Sequence, residues 1–262
     1  MGDGNRPSTL AGSLPVSCST GALNLILQLQ GLSKSFGSVV VADAIDMDIA
    51  EGSAVGIIGP NGAGKSSLFN LIAGSLRPDA GTVRLDGEDI TNRPPPARAR
   101  AGIARSFQIP QPFQNLTVFE NLLVGATHCF DRPEAELVEG CGAILRRTGL
   151  LDAANRRAGT LTLLQRKRLE LARALAARPR VLLLDEIAGG LTESECTALV
   201  ATITEVRAGG VTIVWIEHVV HALLAVVERL IVLNFGRKIA DGEPRPVIAS
   251  SEVREIYLGI EA

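Results

Sequence analysis

The spacing of apolar residues predicts a chain in which short strands alternate with helices. Apolar and polar side chains alternate through residues 45–49, as in a strand that is buried on one face only. Continuous apolar runs fill residues 54–58, 181–184 and 211–216, and such runs are typical of strands buried in a parallel sheet. Further strands are predicted at residues 25–29, 81–85, 229–235 and 238–240.

Apolar residues at helical spacing predict the intervening helices. Helices are expected at residues 67–73, 116–124, 133–150, 161–178, 193–206, 219–227 and 246–258. Thr117 is a candidate N-cap, because Glu120 follows at the capping-box spacing. The prolines within residues 91–100 predict that no helix forms there and mark a boundary.

These elements predict an α/β fold with a mostly parallel core sheet, an antiparallel β-subdomain and a helical subdomain. Residues 1–23 are rich in Gly, Ser, Thr and Pro and lack periodicity, so we expect a disordered N-terminal tail. Residues 24–262 are expected to form one domain, with the helical subdomain inserted at about 113–165.

The strongest chemical signal is a glycine loop placed between a predicted strand and a predicted helix. Residues 59–66 fit the phosphate-loop pattern G-x-x-x-x-G-K-[ST], and the alternative is a tight glycine-rich turn without a ligand. Backbone N–H groups and a helix N-terminus in this arrangement point at a phosphate. Lys65 is expected to reach the phosphates, and the Ser66 hydroxyl to bind Mg²⁺. The predicted nucleotide-binding residues are Gly59, Pro60, Asn61, Gly62, Ala63, Gly64, Lys65, Ser66 and Ser67.

Two other predicted strands end in groups that can complete such a site. Asp185 and Glu186 follow a buried strand, so Asp185 is a candidate Mg²⁺ ligand and Glu186 a candidate activator of water. His218 follows the next strand and is a candidate sensor of the γ-phosphate. The alternative is a pair of solvated carboxylates at a strand end.

Several other residues are ambiguous when the sequence is considered locally. Phe36 is either a platform for a nucleotide base or a core residue at a strand end, and Gln108 is either a ligand of metal and water or a solvated loop residue. The helix at 161–178 carries a basic face, which is expected to be solvated. That face consists of Arg166, Lys167, Arg168 and Arg173.

Composition argues against several classes of protein. A net charge of −2 and an aromatic content of 3% give no basis for nucleic-acid binding. No apolar run approaches the roughly 20 residues of a membrane-spanning helix, so we expect a soluble protein that can dock on a membrane protein. The four cysteines lack metal-ligand spacing and are expected to be reduced thiols of a cytosolic protein.

Taken in order, these motifs resemble the ATP-binding subunit of an ABC transporter over about residues 25–259. The resemblance implies ATP and Mg²⁺ as cofactors, with Phe36 stacking on adenine and Asp185 binding the metal. It implies that Glu186 is the general base, His218 the switch histidine, and Gln108 a contact of Mg²⁺ and water that also relays to the membrane subunit.

A finer resemblance indicates the importers of branched-chain amino acids, which also include urea and short-amide importers. It is carried by residues 105–108, 116–123, 168–173, 188–191 and 257–259. It implies a dimer with a second ABC ATPase, membrane permease subunits, an indirectly coupled solute-binding protein, and a cytoplasmic location on the inner face of the membrane. The alternatives are a soluble ABC-type ATPase that acts on nucleic acid or ribosomes and a regulatory subunit that binds ATP. A GTPase is disfavoured, since none of the four lysines lies in an Asn-Lys-x-Asp motif.

One segment departs from the family pattern. The family signature Leu-Ser-Gly-Gly-Gln is replaced here by Leu161 followed by Thr162, Leu163, Leu164 and Gln165. In the family this loop caps the ATP that the partner ATPase holds, and two leucines leave less room for close backbone approach. Ile187 also stands where a proline usually follows the catalytic glutamate, and Thr192 where the next loop often has Asp.

Overall fold

The computed structural model of the protein describes residues 24–130 and 133–258. The tail predicted at 1–23 lies outside the described residues. The strands are β1 (Leu25–Phe36), β2 (Val39–Ala50), β3 (Ala54–Ile58), β4 (Ala80–Leu85), β5 (Glu88–Asp89), β6 (Ile103–Arg105), β7 (Val181–Asp185), β8 (Thr212–Ile216), β9 (Arg229–Asn234) and β10 (Arg237–Gly242). The helices are α1 (Lys65–Ala73), α2 (Pro95–Ala101), α3 (Val118–Cys129), α4 (Glu134–Arg147), α5 (Leu163–Ala176), α6 (Glu193–Ala208), α7 (Val220–Leu224), α8 (Pro244–Ala249) and α9 (Ser251–Leu258).

The larger sheet is the core and has the order β10-β9-β3-β8-β7-β6. Its pairings are parallel from β9 to β6, and only β10 is antiparallel to its neighbour. Every residue of β3, β7 and β8 is buried, because apolar layers cover both faces of the sheet. The predicted α/β architecture is confirmed, and the carboxyl ends of β3, β7 and β8 lie side by side.

A second, antiparallel sheet of order β2-β1-β4-β5 lies next to the core. The predicted alternation holds in β2, where Ile45, Met47 and Ile49 are buried and the residues between them are exposed. This sheet is joined to the core by the Asp43 N–H, which donates to the Gly236 carbonyl in the turn between β9 and β10 at 2.8 Å.

Helices α3 and α4 and two short 3₁₀ turns lie between β6 and α5. Their apolar side chains form a separate core that also takes Leu169, Ala172 and Ala176 of α5. The Thr117–Glu120 capping box at the start of α3 is confirmed. We propose that this cluster is the core of the helical subdomain expected at about 113–165. Within the described ranges, no helix has the length and apolar character needed to cross a bilayer.

The prediction that residues 91–100 contain no helix is wrong. Helix α2 begins at Pro95, with prolines in its first turn. Proline is tolerated there because the first N–H groups of a helix have no partner within the helix, and its fixed φ suits the helical backbone. The prediction of a helix at 219–227 is right in type, but α7 ends at Leu224.

Helix α2 brings the side chain of Arg98 into the protein, where it is fully buried. Its guanidinium donates to the carbonyls of Leu71 and Ile72, in the last turn of α1, at 2.7 Å each. It also donates to the carbonyls of Thr91 and Arg93. Arg98 therefore satisfies carbonyls that the end of α1 would leave unpaired.

We predict that Arg98→Met lowers the free energy of unfolding by about 2–4 kcal/mol, because buried acceptors without partners cost about 1–3 kcal/mol each and relax in part. The measurement is urea denaturation followed by circular dichroism. Arg100→Met is the matched control, since Arg100 is exposed on the same helix. Equal stability of the two variants would contradict this role of Arg98.

Candidate active site

The glycine loop joins β3 to α1, as predicted, and two of its glycines have no room for a side chain. Gly64 has φ +97°, and a Cβ there would lie 2.2 Å from the Val41 carbonyl oxygen of β2. A Cβ at Gly59 would lie 2.2 Å from the Leu233 carbonyl oxygen of β9. The loop is thus held between the two sheets by contacts that only glycine permits.

Lys65 begins α1 and is buried, with its ammonium directed back over the loop. Its Nζ donates to the Gly59 carbonyl at 2.7 Å and to the Pro60 carbonyl at 3.0 Å. Burial lowers the pKa of Lys65, and the nearby carboxylates of Glu186 and Asp185 act in the opposite direction. The neighbouring Ser66 is exposed.

A cleft of about 390 Å³ lies beside this loop. It brings together residues that lie far apart in the sequence, on the glycine loop, on β2 and after β6 and β7. The lining residues are Val39, Val41, Asn61, Gly62, Ala63, Gly64, Lys65, Ser66, Ser67, Gln108 and Glu186. Phe36 is not among them, but it is exposed and pairs with Val39 across the β1–β2 hairpin.

The Glu186 carboxylate is contacted by both groups predicted to act with it. Gln108 Nε2 donates to its Oε2 at 2.5 Å, and His218 Nε2 lies 2.7 Å from its Oε1. The backbone of Glu186 is left-handed, with φ +47°, which is a strained conformation for a residue with a side chain. Its N–H donates to the Ile216 carbonyl at 2.9 Å, so this conformation is tied to the end of β8.

Asp185 is buried at the end of β7, behind the cleft. Its Oδ2 accepts from Arg105 Nη2 at 2.6 Å, while its buried Oδ1 has no hydrogen-bond partner among the described residues. Arg105 also donates to Asn70 Oδ1 at 2.5 Å and stacks against the Phe69 and Phe107 rings. Sequence reasoning did not single out Arg105 as a partner of Asp185, because the two are joined only by the β6–β7 pairing.

The Thr162–Gln165 loop does not line this cleft. Thr162 is the N-cap of α5, and its Oγ1 accepts from the Gln165 N–H while Gln165 Oε1 accepts from the Thr162 N–H. Leu163 is 48% exposed at the first position of the helix. The loop therefore presents a capped helix start with an apolar side chain beside it.

The prediction that the basic face of α5 is solvated is wrong at Lys167. This side chain is only 4% exposed, and desolvation lowers its pKa. The helical spacing could have indicated this burial, because Lys167 lies four residues before Leu171 and seven before Ala174, on the same buried face of α5. The buried Glu217 was also missed. It accepts from the Ala188 N–H and the His218 N–H at 2.9 Å each.

The glycine loop follows β3 at the carboxyl end of the parallel sheet, and the acidic pair Asp185 and Glu186 lies at the same end of β7, two strands away. This arrangement defines a P-loop nucleotide-binding protein. The family model described as "ABC transporter" matches residues 42–189. The chain is also similar to the high-affinity branched-chain amino acid transport ATP-binding protein BraF of Pseudomonas aeruginosa. The two are 37% identical over 249 residues, which cover 89% of this chain and 98% of that protein. The chain therefore belongs to the ABC transporter family.

Solved structures agree with this assignment. An ATP-binding cassette of an ABC transporter in its ADP conformation has a TM-score of 0.83 and is 34% identical, with 90% of this chain and 99% of that chain covered. A dimeric cassette in a post-hydrolysis state, bound to ADP and Pi, has a TM-score of 0.75 and is 25% identical. The alignment with this dimer covers 84% of this chain and 99% of that chain.

We predict that Gly64→Ala impairs nucleotide binding far more than Gly62→Ala. Both glycines have positive φ, so both variants carry a strain of about 1–2 kcal/mol. Only at Gly64 does the new Cβ also collide with the Val41 carbonyl, whereas nothing lies within 4 Å of the corresponding position at Gly62.

Binding of a fluorescent ATP analogue and urea denaturation of both variants test this difference. We expect a loss of affinity of at least about tenfold for Gly64→Ala relative to Gly62→Ala, which corresponds to a difference of about 1.4 kcal/mol. Equal affinities would show that the β2 contact does not shape the loop.

Proposed function

We propose that this chain binds ATP with Mg²⁺ and hydrolyses it to power the import of a small polar solute through separate membrane subunits. The solute class is a branched-chain amino acid, urea or a short amide. The observation that carries the proposal is the convergence of Gln108 and His218 on Glu186 at the mouth of a phosphate-loop cleft. The similarity to a branched-chain amino acid transport protein supports the solute class.

The donor groups at the site fit Mg²⁺, which prefers oxygen ligands. The Ser66 hydroxyl is exposed in the cleft, and Asp185 Oδ1 is buried with no hydrogen-bond partner in the described part of the chain. Gln108 adds an amide at the same cleft. These groups would hold Mg²⁺, which would neutralise charge on the phosphates and stabilise the transition state electrostatically.

The residues of the chain then have distinct roles in hydrolysis. Lys65 and the loop N–H groups bind the phosphate oxygens, and Phe36 supports the adenine. Glu186 accepts a proton from water as the water oxygen bonds to the γ-phosphorus and the bond to the ADP oxygen breaks. Gln108 and His218 orient the Glu186 carboxylate, each through a contact with one of its two oxygens.

The partner ATPase is proposed to contact Thr162, Leu163, Leu164 and Gln165, in a head-to-tail homo- or heterodimer. The similar cassette solved as a dimer with ADP and Pi supports such an assembly. The Thr162 hydroxyl accepts a bond from the Gln165 N–H, so its own hydrogen remains available to donate to a phosphate oxygen. The alternative hypothesis is a regulatory subunit that binds ATP in a dimer with one degenerate site. It is based on Leu163 and Leu164, which stand where the family has two glycines.

A groove of about 510 Å³ between β6 and helices α2, α3 and α5 is proposed to receive the membrane permease. Phe107 and Phe113 line it and are half exposed, and Ile109 beside it is 70% exposed. Since Phe107 and Ile109 flank Gln108, a permease segment seated there moves a residue that contacts Glu186. This contact would hold the chain on the cytoplasmic face of the membrane, where it reaches a solute-binding protein only indirectly.

Nucleic acid is not proposed as a partner. The net charge of −2 offers no electrostatic driving force toward phosphate backbones. The exposed apolar groups beside Gln108 instead suit a protein segment with an apolar face.

The central test is Glu186→Gln. We expect this variant to bind ATP but to hydrolyse it at least tens of times more slowly, because a positioned general base typically contributes about 10²–10⁴-fold. Steady-state phosphate release and equilibrium ATP binding are the measurements. The control is Glu205→Gln on the exposed surface of α6. Wild-type turnover by Glu186→Gln would remove Glu186 from its role.

A double variant, Leu163→Gly with Leu164→Gly, tests the loop toward the partner. We expect turnover of the dimer to rise by about tenfold, the effect of roughly 1.4 kcal/mol from closer approach of the backbone N–H groups to phosphate. The matched control replaces both leucines by alanine, which shortens the side chains without freeing the backbone. No gain in the glycine variant would show that the leucines are tolerated.

A further inference from the structure

Lys167 connects the two segments that form the hydrolytic site. It lies in the second turn of α5, and its Nζ donates to the Gln108 carbonyl at 3.0 Å and to the Glu186 carbonyl at 3.2 Å. Neither acceptor belongs to α5, so this lysine holds together three separate parts of the chain. Its side chain does not line the nucleotide cleft.

We propose that Lys167 is a positioning residue for hydrolysis, which fixes the backbones of Gln108 and Glu186 relative to each other and to α5. The proposal rests on the proposed function, in which Glu186 is the general base. Lys167 acts only through these two residues and does not touch the nucleotide.

The strained backbone of Glu186 explains why such support is needed. A left-handed conformation at a residue with a side chain costs of the order of 1–3 kcal/mol and persists only where the surroundings fix it. The Glu186 N–H is held by the Ile216 carbonyl, and its C=O by Lys167. Two residues further on, Glu217 Oε2 accepts from the Ala188 N–H at 2.9 Å.

The hydrogen bonds that hold the Glu186 turn matter more here because Ile187 stands where the family usually has a proline. Proline fixes φ covalently, whereas isoleucine leaves φ free to vary unless the surroundings hold it. The Ile187 side chain is fully buried in the apolar layer under β7 and β8, which anchors the turn from that side. Lys167 and Glu217 supply the polar restraints on the residues before and after it.

The charges around Lys167 make its burial possible. Removing an ammonium group from water is costly unless hydrogen bonds and opposite charges compensate. Two carbonyls accept from it, and Glu217, Glu186 and Glu170 are the carboxylates whose charges act on it. Arg173, further along α5 and paired with Glu170, donates from Nη1 to the Gln111 carbonyl at 2.9 Å. The segment that contains Gln108 is therefore bound to α5 at two points.

Lys167→Met tests the proposal, because it keeps a long side chain but removes the donor. We expect kcat for ATP hydrolysis to fall at least about tenfold, since small misplacements of catalytic groups cost up to about 10²-fold, while KM for ATP stays within about twofold. Lys167→Arg retains a charged donor and should recover most of the lost kcat. Lys238→Met on β10 is the control for loss of a lysine away from the site, with kcat unchanged.

Pairing with Glu186→Gln separates positioning from general damage. In that background Lys167→Met should lower the residual turnover by a much smaller factor, because the Glu186 carboxylate that it positions is already gone and only Gln108 remains. An equal fold-loss in both backgrounds, a rise in KM that matches the fall in kcat, or a wild-type kcat in Lys167→Met would overturn the proposal. If Lys167→Met does not fold, Lys167→Gln decides by the same criteria.

The same experiment distinguishes the two levels of inference. Wild-type turnover by Glu186→Gln would overturn the proposed function and, with it, the role of Lys167. Slow turnover by Glu186→Gln together with wild-type kinetics of Lys167→Met would overturn the role of Lys167 alone.

Discussion

The left-handed turn at Glu186 is the constraint on which the site depends. It bends the chain sharply after the buried strand β7, so that Asp185 stays inside while the carboxylate of Glu186 enters the cleft. A residue in this conformation needs support from outside its own strand. The support comes from β8 through Ile216 and from α5 through Lys167. The geometry of the proposed base therefore depends on packing between elements that are distant in sequence.

The glycine loop is held by the same kind of long-range contact. Gly59 lies against β9 and Gly64 against β2, so both sheets limit the path of the loop. Lys65 then places its ammonium over the loop carbonyls, close enough to the acidic pair for their charges to act on its pKa. Loop and acids form one electrostatic unit, because the central strand β3 and strand β7 are separated only by β8.

Sequence patterns located the strands, the glycine loop and the acidic pair because these signals are local. A buried strand needs only a run of apolar residues, and the loop needs glycines at fixed spacing. Lys167 was placed on a solvated face because charge is normally exposed, and only tertiary packing brings carbonyls to it. Arg98 was missed for a similar reason, since its acceptors at the end of α1, the carbonyls of Leu71 and Ile72, lie 27 and 26 residues away in sequence. The prolines near α2 led to the wrong prediction that no helix forms there. Proline is compatible with the first turn of a helix, so its position rather than its presence decides whether a helix forms.

Helix α5 links this site to the one proposed on the partner. Its N-terminal end carries Thr162 and Leu163, which are proposed to face the partner's nucleotide, and Lys167 follows about 7.5 Å beyond Thr162 along the axis, at 1.5 Å per residue. Since Lys167 donates to the carbonyls of Gln108 and Glu186, α5 joins the proposed partner contact to the proposed base of this chain. The changed loop and the support of the proposed base thus lie on one helix, at its capped end and in its second turn.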